Sequence, residues 1–286
     1  MHRRHPSFRL RALLAGVPMA ALVLTGTVGT ASAAHTPANS QTALRLAVQR
    51  LLAHWHPTNH AIGRISLKQV ASTNWSGYAD TGTGFSSVTA KWAQPKVSNC
   101  STSGPVKATV FWVGIDGFSS SSVEQGGTGA LCGQGTPLTY FTWWEMFPTN
   151  NIQVVGTTVK PGDKISASVV RSGTKYTLKV TDSTTSGNNI TTTQTCQVSG
   201  GCKNSSAEWI GERPSSSTGP LPLAQFSTWT VTAATVKAGT KSGTIKTFPD
   251  NAITMINNPT AKKVLAKPGP LNSAGNSFMD VWKASS

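Results

Sequence analysis

From Asn74 to the C-terminus the apolar residues recur with a period of two, and no stretch after residue 71 carries the stripe of an amphipathic helix. Short runs rich in Val, Ile, Thr, Phe and Trp alternate with Gly, Pro, Asn and Ser turns, the pattern of an antiparallel β-sandwich. The clearest strands are 106–115, 138–147, 152–159, 165–170, 176–180, 190–198, 208–210, 228–236, 252–256 and 278–282. Lys164 to Val180 reads as a hairpin around Ser172-Gly173. One large all-β domain over residues 72–286 accommodates these strands better than two small ones.

The first 71 residues are different. Arg3, Arg4, Arg9 and Arg11 precede a stretch of mostly Ala, Leu, Val and Gly, and Ala31-Ser32-Ala33 supplies a small-x-small cleavage pattern. Residues 1–33 are therefore expected to be a signal peptide, removed on secretion to the extracellular space rather than retained in a membrane. In residues 34–71, Leu44, Val48, Leu51, Leu52 and Trp55 fall on one helical stripe, with Arg45, Arg50 and His54 on the other faces. This stretch reads as a basic, removable pro-segment that docks on the body as an intramolecular inhibitor.

Charge and histidine divide at the same place. The chain carries 25 Lys and Arg against 10 Asp and Glu, yet the first acidic residue is Asp80. The body beyond it has 17 basic residues against those 10, without a basic run, so nucleic-acid binding is not expected. All six histidines (His2, His5, His35, His54, His56 and His60) lie in the leader. A body without imidazole cannot build a Ser-His-Asp triad, a Cys-His pair or a His-ligated metal. Four cysteines, in an exported chain, read as two disulfides with three possible connectivities. The short loop between Cys196 and Cys202 favours pairing these two, which leaves Cys100 with Cys132. Their spacing does not suit zinc, and no metal or cofactor is expected.

Ten carboxylates remain to carry chemistry. Asp163 and Asp182 read as turn residues, and Asp80, Asp250 and Asp280 as solvated ones. In the strand ending Phe111-Trp112-Val113-Gly114-Ile115-Asp116, alternation places Trp112, Gly114 and Asp116 on one face. In Phe141-Thr142-Trp143-Trp144-Glu145-Met146-Phe147, Glu145 shares its face with Phe141, Trp143 and Phe147. Tryptophan beside a carboxylate on one sheet face suits a substrate groove better than either a core or a solvated surface. Glu124 and Glu212 read as structural, the first pointing away from Gln125 and the second lying near a strand end.

Six motifs in order carry a family resemblance: Asn74-Trp75-Ser76-Gly77-Tyr78, Trp112 to Gly117, Glu124-Gln125-Gly126-Gly127, Trp143-Trp144-Glu145, Ala207 to Pro214, and Pro270-Leu271-Asn272-Ser273. Over residues 72–284 the chain resembles the eqolisins, the glutamic peptidases. The resemblance implies a concanavalin A-like sandwich of two sheets of about seven strands, with an active site on the concave face of one sheet. It places Gln125 and Glu208 where the family has its catalytic pair, and Trp112, Asp116, Trp143 and Glu145 where it has supporting residues. Substrates would be proteins or peptides, cleaved by a secreted, acid-active monomer.

The pair makes chemical sense in itself. Ionised Glu208 can take a proton from water and later deliver it to the leaving amine, while the Gln125 amide donates to the tetrahedral oxygen and never titrates. The two side chains are expected to face one another across adjacent strands, within reach of a shared water. Two other readings use the same residues. Glu145 and Glu208 could serve a β-sandwich glycosidase, with about 5–10 Å between carboxyls. The aromatic face alone could serve a carbohydrate-binding module.

Overall fold

The computed structural model describes residues 38–53, 55, 61–66, 69–216 and 218–286, so the expected signal peptide lies outside the described residues. One helix, α1 (Ala38–Leu51), precedes the strands. In chain order these are β1 (Ala61–Ser66), β2 (Gln69–Ser72), β3 (Trp75–Thr81), β4 (Phe85–Ala93), β5 (Val97–Ser98), β6 (Lys107–Ile115) and β7 (Val123–Gly133). Next come β8 (Thr136–Phe147), β9 (Asn150–Val154), β10 (Lys164–Ser172), β11 (Lys175–Asp182), β12 (Ile190–Thr195) and β13 (Ser206–Glu212). The last are β14 (Ser215–Ser216), β15 (Gly219–Pro220), β16 (Gln225–Phe226), β17 (Trp229–Ala238), β18 (Lys241–Gly243), β19 (Asp250–Ile256), β20 (Val264–Pro268) and β21 (Phe278–Trp282).

The strands form two layers, as the period of two requires. One sheet runs β9–β8–β7–β6–β13–β3–β19, with β2 and β20 both pairing to β19. The other runs β12–β11–β10–β4–β17–β18. They are joined through β17, whose first residues pair with β21 and whose remainder pairs with β4. The β10–β11 hairpin turns at Gly173-Thr174, within a residue of the expected position. Most pairs are antiparallel; β2 lies parallel to β19. Residues 61–66 and 69–71, within the stretch expected to be a pro-segment, are thus strand residues of the first sheet.

Between the layers lies a core that includes Phe111, Val113, Ile115, Leu178, Val180, Trp209 and Trp229. The opposite face of the first sheet is just as apolar. Trp75, Val110, Trp112, Phe141, Trp143 and Ile210 cluster there with Val48, Leu52 and Trp55. The expected helical stripe is therefore real, and the apolar face it covers is that of β6, β8 and β13. Every residue of β7 and β13 is buried. Gln49 extends the contact at the sheet edge: its Oε1 accepts from Val154 N at 2.8 Å, and its amide nitrogen donates to Ile152 O. These bonds satisfy backbone groups of edge strand β9 that would otherwise be exposed.

The disulfides are Cys100–Cys132 and Cys196–Cys202, the pairing the loop lengths favour. Asp163 and Asp182 hold turns, Asp163 accepting from Lys160 N and Asp182 from Thr184 N and Thr185 N. Asp80 and Asp280, expected in solvent, are both fully buried. Asp80 sits on β3, almost all of it buried, and Asp280 on the inward face of β21, so neither carboxylate's presence in the sequence is a sign of solvent. Asp80 also faces Asp250 across the β3–β19 ladder, and burial with this repulsion raises its pKa to about 9.

Candidate active site

Three strands position the two central side chains. β6 pairs on one side with β7, placing Gly114 opposite Gln125, and on the other with β13, placing Gly114 opposite Glu208. Directly opposed residues in a ladder point to the same face. Gln125 and Glu208 therefore stand on one face, but on strands that flank β6 rather than on adjacent strands. Gly114 lies between them because a larger residue does not fit. A Cβ there would come within 2.8 Å of the Trp112 ring and 3.2 Å of Gln125 Cβ.

The same row continues through β8, where Glu145 lies opposite Gln125. Gln125 Nε2 donates to Glu145 Oε2 at 2.7 Å, which fixes the amide with its nitrogen toward Glu145. Gln125 Oε1 has no hydrogen-bond partner among the described residues, and neither oxygen of Glu208 has one. Both side chains are fully buried. Burial raises the Glu208 pKa well above the ordinary carboxylate range. The nearby Ser206 hydroxyl opposes that rise, while Asp116, Glu124 and Asp80 reinforce it. Burial also raises Glu145 to about 8, against the bond from Gln125. In this structure burial therefore favours the protonated form of Glu208, where the sequence alone suggests an ionised one.

Trp112 and Trp143 occupy the next row, about 7 Å along the strands from this one. Trp112 leans over Gly114 with its six-membered ring and donates from Nε1 to Glu212 Oε2 at 2.9 Å. Asp116 does not join the row. It has a φ of 70°, and its carboxylate accepts from Asn204 N at 2.7 Å and from Ser205 N at 2.9 Å. These bonds clamp the loop that leads into β13, so Asp116 positions Glu208 from behind. Glu124 lies on the opposite face from Gln125, as expected, with its pKa raised by burial and by Asp116.

Glu212 is not legible in the sequence as part of the site. It stands on the site face two rows from Glu208, fully buried, accepting from Trp55 Nε1 at 2.8 Å and from Asn74 Nδ2 at 3.2 Å besides Trp112. The signal that could find it is its spacing: Glu208, Ile210 and Glu212 alternate onto one face of β13. Trp55 also meets Trp143 edge-on, their centroids 4.9 Å apart.

Residues 73–273 match the Peptidase A4 family. Among individual relatives, Aspergillopepsin-2 of Aspergillus niger is 26% identical over 185 residues, 59% of this chain and 65% of the relative. The chain thus spans less than two thirds of that relative's length. Scytalido-glutamic peptidase, solved with a transition-state analogue inhibitor, superposes with a TM-score of 0.61 at 25% identity, covering 74% of this chain and 98% of that one. The eqolisin SCP-B, solved with the tripeptide Ala-Ile-His, gives a TM-score of 0.58 at 24% identity over the same shares.

Proposed function

Because this chain belongs to the Peptidase A4 family, the eqolisins, we propose that it is a secreted, acid-active glutamic endopeptidase whose N-terminal segment holds it inactive. The observation that carries the reading is the row Glu208–Gly114–Gln125–Glu145: a base, a gap and a fixed amide donor side by side on one sheet face. Substrates are peptides and unfolded proteins, cut by a monomer without a cofactor.

In the covered state Glu208 keeps its proton because burial disfavours the anion. When residues 38–55 leave the face, water returns, that penalty falls and Glu208 ionises. It then removes a proton from a water whose oxygen bonds to the scissile carbonyl carbon. Negative charge on the former carbonyl oxygen is stabilised by the Gln125 amide, one N–H of which is spent on Glu145. Collapse of this intermediate breaks the C–N bond, and Glu208 returns its proton to the leaving nitrogen. At acid pH Glu145 is protonated and still accepts through its carbonyl oxygen, so the amide stays aimed.

The covered face supports the inhibitory role of the N-terminal segment. Val48, Leu52 and Trp55 are almost wholly buried against the site face, where a substrate would have to lie. A glycosidase built on Glu145 and Glu208 fits less well. Three strand spacings, about 14 Å of backbone, separate them, and Glu145 is engaged by Gln125. The test is casein cleavage near pH 4 by the full-length chain and its Gln125→Ala and Glu208→Gln variants, with soluble glucan as a parallel substrate. Acid-soluble peptides from the wild type alone support the proposal. Cleavage by both folded variants, or release of reducing sugar without peptides, refutes it.

A further inference from the structure

The N-terminal segment does more than cover the face: one of its side chains fills a built site. Trp55 lies past the end of α1, is 2% exposed, and inserts its indole between Trp143 and Glu212. Trp143 provides an aromatic wall, and Trp112 stands beside it with its own N–H on the same carboxyl group. Asn74 completes the floor by donating to Glu212 Oε1, and Ser72 Oγ donates in turn to Asn74 Oδ1 at 2.9 Å. A buried carboxyl with three N–H donors, two of them from this pocket's own residues, leaves one accepting position for whatever enters.

We propose that Glu212, Trp112, Trp143 and Asn74 form a side-chain subsite for an indole of the substrate peptide, with Glu212 accepting its N–H as it accepts that of Trp55. The inference rests on the reading of this face as a peptidase cleft. Position favours it. Glu212 lies four residues from Glu208 on β13, about 13 Å along the strand, and Trp112 spans the distance, touching the space over Gly114 at one end and Glu212 at the other. A peptide held at the dyad therefore reaches this pocket with a side chain a few residues from the bond that breaks. The pocket is apolar except for its floor, so it takes a large aromatic group. The floor separates Trp from Phe, because an aromatic ring without an N–H leaves the carboxyl short of one partner.

The test uses the full-length chain, acidified until its cleavage of casein is constant, and peptides of one fixed sequence. A single residue, moved through successive positions, is Trp, 1-methyltryptophan, Phe or Leu. At one position the Trp peptide is expected to show kcat/KM about fivefold above the 1-methyltryptophan and Phe peptides, the worth of one hydrogen bond to a neutral buried acid. The Glu212→Gln variant, which turns an amide N–H toward these donors, is expected to bring that ratio toward one. Equal rates for Trp and 1-methyltryptophan at every position in the wild type overturn the subsite without a variant being needed. So does a ratio that Glu212→Gln leaves unchanged. Casein cleavage with no Trp preference rejects only the subsite; absence of casein cleavage rejects the peptidase reading with it.

Discussion

Replacing Asp280 with Asn should remove one proton from the pH dependence of folding. Asp280 lies on β21, fully buried, with Oδ1 accepting from Ser76 Oγ at 2.6 Å and Oδ2 without a hydrogen-bond partner among the described residues. Burial raises its pKa from 3.8 to about 7, the Ser76 bond holding back part of the rise. A raised folded-state pKa means that the native chain keeps a proton the unfolded chain gives up. The stability this group contributes is complete below about pH 4 and is lost as pH rises through 7. A rise from 3.8 to about 7 corresponds to about 4 kcal/mol over that window, at about 1.36 kcal/mol for each tenfold change in proton affinity. Asparagine keeps an acceptor for Ser76 and cannot ionise, so Asp280→Asn should match the parent near pH 4 and exceed it by a few kcal/mol near pH 8. The assay is urea unfolding at several pH values, with both chains carrying Glu208→Gln to prevent self-digestion. The midpoint difference should grow with pH at constant m-value. Parallel midpoint curves for the two chains across that range would refute the assignment.

Three further outcomes are expected. Gly114→Ala puts a Cβ 2.8 Å from the Trp112 ring and should lower kcat/KM on casein about a hundredfold, while thermal unfolding moves by only a few degrees. Trp55→Ala removes a buried indole and its bond to Glu212, about 3 kcal/mol, and should markedly shorten the lag before casein cleavage on acidification; an unchanged lag would show that Trp55 is no latch. Removing Cys100–Cys132, with a sequence separation of 32, should cost about 1.5 kcal/mol more than removing Cys196–Cys202, with a separation of 6, measured by urea unfolding.

The sandwich is legible because most of its strands alternate, and alternation is what one covered face imposes on a strand. β7 carries Gln125 and is much harder to read, since Val123–Gly133 contains four glycines among few large residues. Its glycines answer to space, not to turns: a Cβ on Gly127 would lie 2.0 Å from Phe111 O, and one on Gly129 2.6 Å from the Phe141 ring. Asp80, Asp280 and Glu212 escape a sequence reading because their burial is set by long-range packing. Strands β3 and β13 are buried on both faces, while β21 has one buried face, which carries Asp280, and an outer face on which Met279 is 55% exposed. A carboxylate on β3 or β13 is buried whichever way it points, and the one on β21 happens to take the inward face; no local pattern reports either. The placing of the dyad on either side of β6 depends on β13 pairing with a strand some 95 residues earlier, a long-range choice that periodicity does not encode.

These buried carboxylates connect the stability of the fold with the conditions of its proposed chemistry. Glu124, Glu145, Glu208, Glu212, Asp80 and Asp280 all have raised pKa values, and in each the largest cause is burial. By the same sign argument as for Asp280, each contributes stability in acid that is lost as pH rises. With Asp163, raised likewise chiefly by burial, seven of the ten acidic residues in the chain favour the folded state where most proteins begin to lose it. Acid denaturation ordinarily follows from protonating paired carboxylates, and here those groups are protonated already. The N-terminal segment reaches one of these groups directly, Trp55 donating to Glu212 from an indole that is 2% exposed. Under the proposed inhibition, departure of the segment lets water reach Glu212 and lowers its pKa, so uncovering the face and changing its charge are expected together.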